Sequence, residues 1–309
     1  MTTVMERPAL TTLHRPDARR LAEASDGFRD PVLVTGLFDH LPDRGVISLD
    51  RMAELAGGQQ VRVEYYPDRS GSNSWEHRSM TIADYVDLQR GPDALNYFLA
   101  EQPLRTMVPS LGEAITVPEL IRDIGVTDIA SESVFCGVGT TSVLHYHDRD
   151  QALLTQLGGS KRVVLLPPES TRDMQPPVWW KSRSNYSTID VPADPEEARI
   201  ALERAAGMPS ITLDLHETEA LFLPVHWWHW VHGLGESVSY TLFWRSSPTI
   251  WRKPQPALRA AAGVAAQASR AHIRQFSIDH GMTDLAVNVA SRLKVVSDPD
   301  ALKSRLENG

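Results

Sequence analysis

Between Ser133 and Ser247 the apolar positions fall in short runs separated by Gly, Pro and polar turns. This pattern predicts strands at Val134 to Val138, Ser142 to Tyr146, Ala152 to Leu157, Lys161 to Leu166, Ile211 to Leu215, Ala220 to Leu223, Trp228 to Leu234 and Val238 to Trp244. Many short strands at such spacing indicate a sandwich or jelly roll. One helix interrupts them, with Asp194 as N-cap, Pro195 at its first position, Glu197 at its third, and Ile200 and Leu202 before Gly207. Upstream, Val32-Leu33-Val34 reads as a buried strand ended by Gly36. Thr81-Ile82-Ala83-Asp84 has the form of a capping box opening a helix that stops near Gly91. Gln59 to Ser74 mixes Tyr65, Tyr66, Pro67 and Gly71 with charges and reads as a loop, over a cleft or on plain surface. After Pro256 the period becomes helical: Ala257 to His272, Thr283 to Leu293 and Pro299 to Leu306. The expected fold is mainly β with added helices. It has a polar N-terminal arm or short helix over 1–26, a β-rich unit over 27–250 and a helical region over 251–309. Nothing repeats at solenoid periods.

Charge and cysteine usage narrow the classes. The chain has 309 residues, with 31 Lys and Arg against 39 Asp and Glu and a net charge of -8. That balance argues against a general nucleic-acid or anionic-membrane binder, whose phosphate contacts need a basic face. No apolar run approaches the roughly 20 residues that span a bilayer, and Met1 to Arg20 carries charges without a continuous apolar core, so a soluble cytoplasmic protein is expected. Cys136 is the sole cysteine, which excludes an internal disulfide and leaves His and carboxylates as metal ligands.

Two histidine-centred segments carry the candidate chemistry: Leu144-His145-Tyr146-His147-Asp148 and Val225-His226-Trp227-Trp228-His229. Strand residues two apart share a face, so His145 and His147 point together while Tyr146 faces away. His229 supplies a donor from a distant strand, as a jelly roll permits. Two His and one carboxylate is the usual facial set of an oxygen-activating non-haem iron site. The carboxylate here is Asp148, three residues after His145, which needs a β-bulge to turn it back. The alternative third ligand is His147, giving an all-imidazole site. Both readings stand at this point. His226 and His232 read as structural, and Trp227, Trp228 and Trp230 as packing before substrate stacking.

The run Gly137 to Tyr146, the run Ala152 to Pro168 through Gly158-Gly159-Ser160-Lys161, the segment Ala220 to Val231 and the strand Leu242-Phe243-Trp244 together resemble the JmjC, or cupin-like-8, group of Fe(II)/2-oxoglutarate oxygenases. This group includes the asparaginyl hydroxylase of the hypoxia pathway. Pro31 to Leu37 and Tyr97 to Leu104 also resemble family pieces, so the likeness covers about residues 30 to 247. The resemblance implies a double-stranded β-helix with Fe(II) at its mouth, His145 and His229 as ligands, and Lys161 pairing with the distal carboxylate of 2-oxoglutarate. Ser142 and Tyr97 would add hydroxyl contacts to that cosubstrate. Three departures stand out: His147 occupies the position of the usual Asp, the interval from His145 to Gln156 is about one residue longer, and Leu242 takes the place of a frequent Asn.

The leading expectation is hydroxylation of a C–H bond in a peptide side chain, amino acid or small natural product, with release of succinate and CO2. Rival readings are a three-His iron dioxygenase independent of 2-oxoglutarate and a cupin-like protein that binds without turnover. Substrate choice would come from the Tyr65 loop, the Asp173 to Ser187 insertion with Trp179 and Trp180, and the C-terminal helices. Relatives of this kind pair through C-terminal helices, and the small residues of Ala261 to Ala271 suit a homodimer contact or packing within one chain.

Overall fold

The computed structural model describes residues 9–40, 46–67, 75–115, 118–126, 129–177 and 183–247. In chain order the elements begin with β1 (Thr11–His14), α1 (Ala18–Ala24), β2 (Val32–Thr35), α2 (Leu49–Ala56), β3 (Gln60–Tyr65), β4 (Glu76–Thr81), α3 (Ile82–Gln89) and β5 (Tyr97–Pro103). Three short helices follow, α4 (Leu104–Met107), α5 (Pro109–Ala114) and α6 (Glu119–Asp123). Then come β6 (Ile129–Val138), β7 (Asp150–Leu166), α7 (Pro195–Ala206), β8 (Ile211–Leu215), β9 (Ala220–Leu223) and β10 (Trp228–Arg245). The predicted helices after Pro256, the Ala261 to Ala271 contact, Trp179 and Trp180 lie outside the described residues.

The strands form a ten-stranded sheet in the order β1-β2-β9-β7-β10-β6-β5-β3-β4, with β8 added on β7. Its axis is the antiparallel pair β7 and β10, 17 and 18 residues long. One end of β7 pairs with β9 and the other with β8, so the sheet folds over itself into a jelly roll, a double-stranded β-helix. The sequence pattern anticipates two strands in each of these stretches; the structure joins them through irregularities. Register shifts occur between Gly233 and Ser237 and between Val238 and Ser239.

The Gly158-Gly159 step has a steric reason. A Cβ on Gly158 would meet the Ile47 carbonyl oxygen at 1.9 Å, and one on Gly159, at φ +66°, would meet the Glu236 carbonyl oxygen at 1.9 Å. Just before this step, Leu157 is an extra residue between the pairs Gln156–Ser239 and Gly158–Val238, and it flips the alternation: Ala152 and Leu154 face the barrel interior before it, and Lys161 faces it after. Gly159→Ala is expected to cost about 2–5 kcal/mol, from left-handed backbone strain of about 1–2 kcal/mol and overpacking of about 1–3 kcal/mol. Urea unfolding measures it.

Three apolar clusters follow from the period-two pattern. One face of β10, with Val238, Tyr240, Leu242 and Trp244, packs against residues from the N-terminal elements such as Leu49, Met52, Ile82 and Tyr85. Trp228 and Trp230 lie with Leu144 and Tyr146 against Ala198, Leu202 and Ala206 of α7. The third cluster, with Leu154, Val163, Leu165, Leu221 and Leu223, includes Trp227. The tryptophans are therefore packing residues: Trp228 Nε1 donates to Thr171 Oγ1 at 3.1 Å and Trp227 Nε1 to the Arg29 carbonyl at 2.8 Å.

The helix signals read as expected. Asp194 accepts from the Glu196 and Glu197 amides, Gly207 closes α7 in the left-handed conformation, and Thr81 and Asp84 form a reciprocal capping box. Two predictions fail. Gln60–Tyr65 is a strand, because Val61 and Val63 alternate with exposed Gln60 and Arg62 and pair with Glu76–Thr81, which the sequence reading missed. Ser142 to Tyr146 is not a regular strand; it touches its neighbours through single bridges, Thr141 with His232 and His145 with both Tyr186 and His229. Residues 11–14 pair with β2 in parallel, so part of the expected arm belongs to the sheet. Among the described residues no helix is long and apolar enough to cross a membrane.

Candidate metal centre

The mouth of the barrel holds a cavity of about 480 Å3 into which His145, His147 and His229 project. Reciprocal backbone bonds between His145 and His229, at 2.8 and 3.2 Å, set the two residues opposite each other with side chains on one face. His147, two residues on, shares that face. One nitrogen from each ring lies within 4.8 Å of the others, and ring centroids are separated by 4.1 Å for His145 and His229 and 4.6 Å for His147 and His229. Asp148 lines the same cavity but does not belong to this cluster.

Protonation is settled by the neighbours. Nδ1 of His145 bonds the Val143 carbonyl at 2.7 Å, and Nδ1 of His229 bonds the Trp227 carbonyl at 3.0 Å. A carbonyl only accepts, so both Nδ1 atoms carry hydrogen and both Nε2 lone pairs are left for a ligand. Burial pushes His145 down to about 4 and His147 to about 3, and holds His229 well below its ordinary value, the nearby imidazoles adding to the effect for His147 and His229. Three neutral imidazoles at neutral pH are a metal-ready donor set. Nδ1 of His147 is buried with no hydrogen-bond partner among the described residues, an orphan that a cation would satisfy.

His226 braces this arrangement. Its backbone sits in the left-handed region at φ 68°, its amide donates to the His147 carbonyl at 3.1 Å, and its Nε2 bonds the Asp148 carbonyl at 3.0 Å. A hydrogen bond to that carbonyl requires the Nε2–H tautomer. His226→Ala is expected to weaken metal affinity about 10- to 100-fold, the usual scale for partners that orient ligands. Cobalt titration followed by visible absorption checks it, and an unchanged affinity refutes the bracing role.

Across the cavity Lys161 is 3% exposed, and among the described residues its ammonium makes one hydrogen bond, to Ser239 Oγ at 2.6 Å, and no ion pair. Burial lowers its pKa to about 8. A buried cation with no counter-charge suits an anionic ligand, and the hydroxyls of Ser133 and Thr241 line the same cavity. Ser142 also lines it, but its Oγ accepts from the Val231 amide at 3.1 Å and so ties the His145 segment to β10. Tyr97 is not among the lining residues: its ring packs on Tyr65 at 5.0 Å and its phenol oxygen accepts from Arg78 at 2.7 Å. Leu242 faces the apolar cluster on the other side of β10, so the cavity face of the closing strand is Thr241 and Phe243.

Several lining residues escaped the sequence reading, Glu64, Glu101 and Tyr186 among them. Glu64 and Glu101 join Asp148 in bringing carboxylates to the mouth, and among the lining residues the cations are Arg149 and Lys161. Burial raises Glu64, whose carboxylate accepts from the Tyr66 phenol at 2.7 Å. Tyr186 stacks on His145 at 5.0 Å and 15°, and Trp75 approaches it at 6.3 Å. The alternation of β3 was the available signal for Glu64. Glu101 had none, since it turns at φ 53° in an irregular stretch of β5.

Residues 24–250 match the model of the cupin-like domain. The chain belongs to that family. It is 27% identical over 245 residues to Lysine-specific demethylase 8 of Xenopus tropicalis, covering 76% of this chain and 53% of that protein. It is also 27% identical over 224 residues to Jumonji C domain-containing protein 5 of Drosophila melanogaster, covering 69% of this chain and 54% of that one. The chain thus spans about half the length of the curated relatives it matches. JmjC-type members of this cupin-like family are 2-oxoglutarate-dependent oxygenases that hold Fe(II). The converging imidazoles and the buried ammonium fit both groups.

Proposed function

We propose that the protein is an Fe(II)/2-oxoglutarate oxygenase that hydroxylates a C–H bond of a peptide side chain, amino acid or small natural product, and that this substrate carries a basic group. The observation that supports it best is three neutral imidazoles and one buried lysine, without a counter-charge among the described residues, around a single cavity. His145, His147 and His229 would hold the iron, which when bound supplies oxygen activation coupled to oxidative decarboxylation of 2-oxoglutarate to succinate and CO2. The chain's own residues do the rest. Nδ1–H bonds to Val143 and Trp227 keep two ligand rings in one tautomer and orientation. Lys161, held by Ser239, offers a charge-assisted bond to the distal carboxylate. Phe243 packs edge-on to His147 at 5.2 Å and keeps water from that side.

A basic substrate group is supported by the carboxylates of Glu64, Glu101 and Asp148 at the mouth, beside the rings of Tyr66 and Tyr186, while the face of Trp75 is taken by the Arg183 guanidinium at 3.5 Å. The name of the Xenopus relative, a lysine-specific demethylase, is consistent with this. Adding 2-oxoglutarate to the anaerobic Fe(II)-loaded protein is expected to produce a weak visible charge-transfer band. Its absence at saturating cosubstrate defeats the reading.

The all-imidazole donor set favours one alternative, an iron dioxygenase that needs no 2-oxoglutarate. In that case oxygen uptake with a substrate proceeds without succinate, and loss of the Lys161 charge leaves it unaltered.

A further inference from the structure

A second cavity, of about 530 Å3, lies against the metal cavity and shares Tyr66, Phe98, Thr140, Ser142 and Val143 with it. Its character is different. The walls include Leu95, Leu144, Ile189, Val191, Trp230 and Leu234. Its ionisable groups are already engaged: Asp194 caps α7, and His232 bonds Thr141 Oγ1 at 2.8 Å while stacking on Trp230 at 5.5 Å. Leu95 and Leu234, exposed by 46% and 41%, are two of the four large hydrophobic side chains exposed among the described residues, and both belong to this cavity. Exposed apolar side chains gathered around a concavity mark a binding surface.

The partition wall carries a second signal. Thr140 lines both cavities, is 5% exposed, and its Oγ1 has no hydrogen-bond partner among the described residues. A buried hydroxyl at the crossing point calls for a polar group there. A hydrocarbon tail threaded past it would leave it unsatisfied. A peptide backbone supplies both a donor and an acceptor.

From this we infer that the second cavity is an apolar subsite for a peptide substrate, taking a Leu-, Ile- or Met-sized side chain while the basic residue of the same peptide enters the metal cavity. The proposal rests on the reading of the metal cavity as the substrate site. In an extended chain, residues two apart project to the same side about 6.5–7 Å from one another. The two cavities share a wall, so the apolar residue is placed at the nearest same-side position, two from the basic one.

The test measures binding without turnover. Fluorescein-labelled Gly-Ala-Lys-Ala-Leu-Gly and its counterpart with Ser in place of Leu are titrated by anisotropy against the full chain loaded with Mn(II) and 2-oxoglutarate under argon. The Leu peptide is expected to bind about tenfold tighter or more, in line with burial of one aliphatic side chain. Leu234→Glu and, separately, Val191→Asp are expected to shrink that preference below about twofold, with the affinity for the Ser peptide retained. Leu234 is partly exposed, so its variant tests the idea even if the Val191 variant misfolds. Equal binding of the two peptides, or a preference that survives Leu234→Glu, overturns the inference. So does tight binding of dodecylamine with no binding of either peptide, which would assign the cavity to a small amphiphile. A preference seen in a protein that gives no 2-oxoglutarate-dependent band refutes the oxygenase and leaves the subsite standing.

Discussion

His147→Ala is expected to lower Fe(II) affinity by more than about 100-fold, beyond the roughly 10- to 100-fold loss from removing a partner that only orients a ligand. His147 shares a face with His145, its ring stands 4.6 Å from that of His229, and its Nδ1 has no other bond among the described residues. Asp148→Asn is expected to change that affinity by less than about threefold, because its carboxylate lies outside the three-imidazole cluster. His147→Asp returns the two-His, one-carboxylate set that binds Fe(II) elsewhere, so it should recover much of what alanine loses. Competition titration with a chromophoric chelator gives the affinities. Nitrogen hyperfine coupling in the copper-substituted protein counts imidazoles, three in the parent and two in either His147 variant. The reverse pattern, with Asp148→Asn crippling and His147→Ala mild, would make Asp148 the third ligand.

Lys161→Met is expected to weaken 2-oxoglutarate binding by about 10- to 150-fold, corresponding to one charge-assisted hydrogen bond of about 1.5–3 kcal/mol. The pH dependence separates charge from shape. Burial holds Lys161 at about 8 in the ligand-free protein, so its ammonium is fully present only below that pH. A bound dicarboxylate favours the charged form and raises the pKa, so binding takes up a proton above pH 8. Affinity in the parent should be flat below about pH 8 and fall towards tenfold per unit above it. The Met variant should be flat throughout. Lys161→Arg keeps its charge over this range and should bind without the alkaline decline, with some loss from the altered fit beside Ser239. Calorimetry at several pH values measures all three, and a parent profile indifferent to pH between 8 and 10 would exclude the lysine from the carboxylate site.

Much of the architecture was legible before any coordinates. Ile211–Leu215 and Ala220–Leu223 form at their predicted limits, because alternating or continuous apolar runs between turn residues have few other ways to be buried. The caps of α3 and α7 were visible because capping is a local exchange between a side chain and amides two or three residues away. Less visible were β3 and β4. The second of these is polar and mostly exposed, and its strand character comes from pairing with Gln60–Tyr65. The segment around His145 looked like a strand by composition, yet its neighbours bind it through isolated bridges and the Ser142 hydroxyl.

The choice of third donor shows where local reasoning stops. Periodicity alone put His147 beside His145, while the chemistry of iron argued for Asp148. The His226 amide and ring hold the carbonyls of both residues 147 and 148, a contact across 78 residues that no spacing rule anticipates. Tyr97, close to the site in sequence pattern, is drawn away by Tyr65 and Arg78.

By itself the chain determined which segments alternate, where helices start and stop, and which imidazoles and which ammonium were candidates, since these depend on side-chain chemistry and on contacts a few residues long. Tertiary structure alone decided which candidates meet. A one-residue slip at Leu157 turns Lys161 into the barrel, and a backbone bridge 84 residues long in sequence brings His229 to His145. Both are register choices of a closed sheet, set by the burial of all its faces together, and no short stretch of sequence contains that sum.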